Sequence, residues 1–301
     1  MDAIVKEYTE SWRATGKPLM TDIPVAKADL QGRMGEDAGP FDGGKTAAWL
    51  AGLGSHATWR AVRDALTGHS IHVLSDRPFD DLTADLRLGL RLMAWMSARP
   101  LTWYWWDQPW VREMPAGVDP SRDHLNGGWA VPGVLEVHVY RREEAHKVML
   151  HESIHALGLD VPHASVVPVL AQFEAALGRK LWPHLGEAYT EFFAEFLWAI
   201  VSGGRWDYQV RCAARQAAIV WARIRDATEP EDTNVFAYYV LKWVLMGHQT
   251  ESLIGPDHSV GKWFAWWLSA RDRLDRAATA VAASEKQTIH MGMTCPYGLP
   301  G

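Results

Sequence analysis

Apolar residues recur at helical spacing over residues 80–98, where Leu82, Leu86, Leu90 and Met93 form one stripe, with Trp95 after it, and the pattern stops before Pro100. Short runs of strand-forming residues flank it, SIHVLS at 70–75 and LTWYWW at 101–106. That strand–helix–strand order predicts a parallel pair joined by a crossover helix. A third strand is expected at 134–141, VLEVHVYR. Leu135, Val137 and Val139 alternate there with Glu136, His138 and Tyr140. The alternation predicts one buried face and one more polar face, with His138 turned to solvent. Residues 45–67, with Trp49, Leu50, Leu53, Trp59 and Val62, read as a helix broken near Gly54. Residues 107–133 carry Pro, Gly and Asp throughout and read as a long loop.

After Gly158 the period is helical over about 166–177, 187–202, 205–227, 233–247 and 257–285. Breaks fall at Pro183, Gly203-Gly204, Pro230 and Gly255-Pro256. The expected fold class is therefore α+β, mostly helical. A main domain spans 45–287, with a sheet-containing half at 45–158 and an all-helical half at 159–287. Residues 1–44, with a short helix near 2–13 and then a Gly/Pro/Asp-rich stretch, read as an N-terminal arm or a pro-segment. Residues 288–301, without a periodic pattern, read as a flexible tail.

Composition narrows the class of function. With 301 residues, 48% of them hydrophobic, the chain can bury a substantial core. A net charge of −6 gives no electrostatic reason to expect a nucleic-acid partner. No run is long and apolar enough to suggest a membrane span, and MDAIVKEYTESW lacks the core of a signal peptide. Cys212 and Cys295 are the only cysteines, a count that suits a reducing compartment. The expectation is a soluble, intracellular protein. The seventeen tryptophans are read as core filling.

The chemistry enters at His151-Glu152-Ser153-Ile154-His155, an H-E-x-x-H sequence. On a helix, His151 and His155 share a face and can offer two imidazoles to one metal ion, with Glu152 beside them as a general base. Glu143 and Glu144 suit the first turn, and Gly158 suits the C-terminal stop. The bland alternative is coincidence in a chain with 13 histidines. A catalytic zinc site needs a third protein ligand and an open position. The longer pattern with a third histidine fails here, because that position is Val161 and His163 is displaced by two. Glu187 and Glu191, four apart on an expected helix, offer one carboxylate to a metal and another to orient a ligating histidine. Glu195 continues the row. A solvated acidic face is the alternative, but Phe192, Phe193, Phe196, Leu197 and Trp198 make this helix largely apolar. Asp160 and His163 compete for the third-ligand place.

HESIH followed about thirty residues later by E-x-x-x-E resembles the gluzincin metallopeptidases. A longer set of segments is similar to gluzincin-like proteins of large DNA viruses. These are LNGGW at 125–129, VHVYRREEAHKVMLHESIHALGLD at 137–160, EAYTEFFAE at 187–195 and FAYYVLKWVLMG at 236–247. The resemblance covers roughly residues 100–250 and suggests a virus-encoded protein. It implies a zincin-like fold with a small sheet beside the HESIH helix. It also implies one Zn2+ per chain held by His151, His155 and Glu187, with Glu191 orienting a ligand. By the same resemblance, an edge segment around Asn126, Gly127 and Gly128 receives a peptide or protein substrate as an added strand. A tyrosine or histidine then stabilises the oxyanion, with Tyr238, Tyr239 and His248 the candidates. The expected activity is zinc-dependent peptide hydrolysis. The rival is a catalytically silent structural or interaction protein, whose zinc is closed by a fourth ligand from Asp160, His163 or Cys295.

Overall fold

The strand–helix–strand pattern of residues 70–107 forms the middle of the sheet in the computed structural model, which describes residues 2–24, 45–53, 57–114, 118–254, 256–282 and 289–290. The first elements along the chain are α1 (Asp2–Ala14), β1 (Met20–Asp22), α2 (Lys45–Gly52), β2 (Thr58–Asp64) and β3 (Ser70–Ser75). Then come α3 (Phe79–Met96), β4 (Thr102–Asp107), β5 (Glu113–Met114), α4 (Arg122–Leu125), β6 (Gly128–Ala130), β7 (Glu136–Val139) and α5 (Ala145–Leu157). The remainder is α6 (His163–Leu177), α7 (Glu187–Val201), α8 (Trp206–Ile224), a π-helical turn (Phe236–Leu241), α9 (Lys242–Gly247), α10 (Gln249–Ile254), α11 (Pro256–Ala282) and β8 (Ile289–His290). The protein is α+β with a small mixed sheet. The chain divides into two compact units. One comprises Val5–Val111 with Asn126–Leu159, and the other Met1–Ile4, Arg112–Leu125 and Asp160–Gly301.

The first unit holds a six-stranded sheet in the order β1-β2-β3-β4-β7-β6. β3, β4 and β7 run parallel, with Ser70 opposite Thr102 and Thr102 opposite Glu136. β2 and β6 pair antiparallel at either side of that trio. The helix α3 sits close to the sheet because Gly89 has no side chain; a Cβ there would lie 2.5 Å from the Trp103 ring. His146 of α5 meets the rings of Trp103 and Trp105 at 5.7 and 6.2 Å.

Expectations fail at residues 58–64, at His138 and at β6, which lies inside the stretch expected to be a loop. Residues 58–64 are a strand, not the second half of a helix. TWRAVRD pairs with β3 through a tight turn in which Asp64 receives the Leu66 amide and the Thr67 hydroxyl, and Gly68 takes φ +80°. Seven residues rich in Trp, Thr and Val fit either period, and pairing with β3 decides. His138 does not face solvent. It is 3% exposed because the second face of the sheet is also covered. Its ring lies between Trp129 at 3.9 Å and Tyr104 at 4.9 Å, and Tyr104 in turn stacks on His72 at 5.1 Å. Trp49, Leu50 and Leu53 of the α2 segment and Trp59 of β2 pack on this face.

The second unit is mainly helical. Phe173, Trp221, Phe236 and Trp267 pack ring against ring, with centroids 5.1 to 6.4 Å apart. Here tryptophans do fill the core, as expected. The expected helix at 233–247 is a π turn followed by α9, and that at 257–285 begins at Pro256 after a separate α10. No described helix is long and apolar enough to cross a membrane. Cys295 and the tail beyond His290 lie outside the described residues, as does the arm from 25 to 44.

Candidate metal centre

The helix α5 starts differently from the sequence expectation. Glu143 and Glu144 precede it rather than filling its first turn, and Glu144 takes the left-handed conformation at φ 57°. A non-glycine residue there carries strain of about 1–2 kcal/mol, which the surroundings must hold. The hold is visible. Arg142 donates from Nε to Asp107 Oδ1 at 3.0 Å and to the Asp107 carbonyl, and its amide donates to the Gln108 carbonyl at 2.8 Å. The far end closes as expected. Gly158 is left-handed, its amide bonded to the His155 carbonyl and that of Leu159 to the Ile154 carbonyl, both at 2.9 Å.

His151 and Glu152 are each 6% exposed and His155 is half-buried. The two histidine Nε2 atoms lie 3.2 Å apart. Two nitrogens bound to one tetrahedral zinc at about 2.0–2.1 Å are separated by about 3.3–3.4 Å. The pair thus presents an edge of the right length, through the same ring nitrogen on both residues. His151, His155 and Glu187 each offer one ligand atom within 4.8 Å of the others, so this group can hold a metal ion. Two imidazoles and one carboxylate are a donor set suited to a catalytic divalent metal.

Glu187 opens α7 and is half-buried. Glu191 and Glu195, on the same face, are 0% and 1% exposed, so the row is not a solvated acidic stripe. A Glu191 oxygen lies 3.6 Å from Lys242 Nζ, in a pair with almost no exposure on either side. The two tyrosine candidates separate clearly. Tyr238 is half-buried and its hydroxyl donates to Glu187 Oε2 at 3.4 Å. Tyr239 is wholly buried, with its ring 6.0 Å from Lys242 Nζ. His248 lies flat on Trp266, at 4.2 Å and 3°. Asp160 and His163 are not members of the metal-holding group.

In the sheet unit, Gly128 begins β6 at an end of the sheet, directly after Asn126 and Gly127. The Gly127 carbonyl accepts from the Tyr140 amide at 3.0 Å, which extends the pairing with β7. A Cβ at Gly128 would lie 2.5 Å from the His138 carbonyl and 3.0 Å from Glu152 Cγ. Only glycine lets this strand lie so close to the helix that carries Glu152.

No protein-family model, no curated protein and no solved structure matches this chain. The functional reading therefore rests on the residues themselves. Sequence reasoning missed Lys242. Its signal was a single lysine inside the otherwise apolar run FAYYVLKWVLMG.

Proposed function

We propose that the protein is a zinc-dependent peptidase with a zincin-like active site. The observation that carries this reading is the group formed by His151, His155 and Glu187, with an acid placed directly beside the first histidine. His151 and His155 would hold the metal through Nε2 and Glu187 through a carboxylate oxygen. A metal held there would supply Lewis acidity, lowering the pKa of a water towards about 7 and polarising a carbonyl. Glu152 takes the proton of the attacking water on its carboxylate and delivers it to the leaving amine nitrogen. The burial of Glu152 keeps that carboxylate from bulk water. Tyr238, whose hydroxyl already points to the Glu187 carboxylate, is the donor suited to the developing oxyanion. A peptide extended along β6 gains main-chain hydrogen bonds from a strand end of the sheet, close to Glu152 because of Gly128.

The rival reading, a metal that merely staples two helices, calls for a fourth protein ligand. Neither Asp160 nor His163 joins the group among the described residues.

The test is metal analysis combined with cleavage of a peptide library, with and without a chelator. We expect about one zinc per chain and chelator-sensitive cleavage. Glu152→Gln should keep the zinc and lose hydrolysis, whereas Glu187→Ala should release most of the zinc. Purified protein that takes up no divalent metal when zinc is supplied would overturn the reading. Full activity in Glu152→Gln would overturn the mechanism.

A further inference from the structure

The acids of α7 are met by a second row at the same spacing. Glu187 and Glu191 are four apart; so are Tyr238 in the π-helical turn and Lys242 at the start of α9. The rows join rung by rung. Tyr238 donates to Glu187 at 3.4 Å, and Lys242 pairs with Glu191 at 3.6 Å. Lys242 is 0% exposed, as are Leu241 and Leu245, and Trp243 beside it is 6% exposed.

A lysine in such surroundings needs a reason. Replacing a buried ion pair by apolar side chains of similar size is often neutral or stabilising, so the pair is poor value as a stability device. Its place in the structure is informative instead. It sits one helical turn from the proposed metal ligand, on the acid expected to orient the histidines. We propose that Lys242 is a positioning residue for the metal centre: its ammonium group holds the Glu191 carboxylate in place, and through it the ligands. The inference rests on the proposed metal reading and adds a residue to it. Tyr238 and Lys242 then act as two clamps on one helix face, one on the ligand and one on the acid behind it.

The test measures zinc affinity by competition with a chromogenic chelator, for the full chain and its variants, with folding checked by circular dichroism. Lys242→Met should weaken zinc binding by about 10–100-fold, the usual cost of losing an outer partner of a ligand. Lys242→Arg should recover part of that loss. Glu191→Gln and the double variant Glu191→Gln/Lys242→Met should both bind zinc about as weakly as Lys242→Met, because each removes the same rung. If Lys242→Met does not fold, the comparison of Glu191→Gln with the double variant carries the test: a further weakening of more than tenfold in the double overturns the proposal. Wild-type zinc affinity in a folded Lys242→Met overturns it as well. Failure of the unmutated protein to bind zinc sinks the metal reading itself and is distinguishable from either result.

Discussion

Asp107 in the sheet unit and Glu191 in the helical unit are both carboxylates with no exposed surface, yet their surroundings differ in kind. Asp107 ends β4 and is met from several sides. The Ser75 hydroxyl lies at 2.5 Å, Arg77 donates twice at 2.6 and 3.0 Å, and Arg142 Nε donates at 3.0 Å. The arginines are a quarter to a third exposed, and Asp85 and Asp76 share them. Short charged hydrogen bonds of this kind are strong and directional. They tie the ends of β3 and β4 to the segment leading into α5. Glu191 has a longer ion pair, at 3.6 Å, whose cation is also buried. The first arrangement builds the frame of the HESIH helix, and the second has the character of a tuned site. A third acid, Glu231, lies between these extremes. Its side chain is 4% exposed, and it accepts from the Trp182 and Phe236 amides at 3.2 and 3.0 Å, with Arg179 at 3.6 Å. It thereby links the segment before α7 to the start of the π turn that carries Tyr238.

The largest expected effect separates frame from site. Asp107→Ala should cost about 3–5 kcal/mol in urea unfolding, since it removes the shared partner of two arginines. The folded fraction should still bind zinc at one per chain. A loss below about 1 kcal/mol would place Asp107 with ordinary surface pairs and dissolve the contrast.

Glu231 supplies the next test, through pH. Burial pushes its carboxyl up to about 7, against the opposing pull of the two amides and Arg179. A folded pKa above the unfolded value of 4.5 means that the folded state binds the extra proton between those limits. That stabilisation is complete below about 4.5 and is lost as pH rises through about 7. Wild type should therefore lose roughly 2–3 kcal/mol relative to Glu231→Gln between pH 5 and pH 8. Parallel pH profiles of the two proteins would remove this difference between the acids.

Gly128→Ala addresses the contact between β6 and α5. Forcing a methyl group against the His138 carbonyl and Glu152 should cost about 1–3 kcal/mol. It should depress peptide cleavage further than stability alone accounts for, as a fall in kcat at unchanged zinc content. Unchanged kinetics would mean that β6 can shift freely.

The smallest expected stability change is in the helical unit. The apo form of Glu191→Gln/Lys242→Met should unfold within about 1 kcal/mol of wild type, because a neutral replacement relieves the desolvation of both charges. A loss as large as that of Asp107→Ala would make the two networks alike.

Much of the candidate site could be read locally. HESIH and EAYTE each place their partners one turn apart on a single helix, and helical geometry alone aligns them. The parallel β3–α3–β4 unit was legible for a similar reason, a long periodic helix between two runs of strand formers. β2 was not, because seven residues are too few to separate the two periods. β6, three residues long and glycine-containing, has no periodic pattern to detect, and only the resemblance pointed to an edge near Gly128. His138 was misplaced because alternation shows two faces of a strand but not that both are covered. Tyr238 and Tyr239 are neighbours, and adjacent helical residues point in directions about 100° apart; only packing shows which one meets Glu187.

The sequence by itself determined the pairs: two imidazoles at i and i+4, a carboxylate beside the first of them, two carboxylates at i and i+4, and a glycine to stop the helix. These follow from covalent spacing and helix geometry over one or two turns. Tertiary structure decided which pairs meet. It made His151, His155 and Glu187 a group that can hold a metal ion, set Tyr238 on Glu187, and buried Lys242 against Glu191. Those contacts span tens of residues, and no local periodicity encodes them. They depend on how apolar faces pack and on where buried charges find partners.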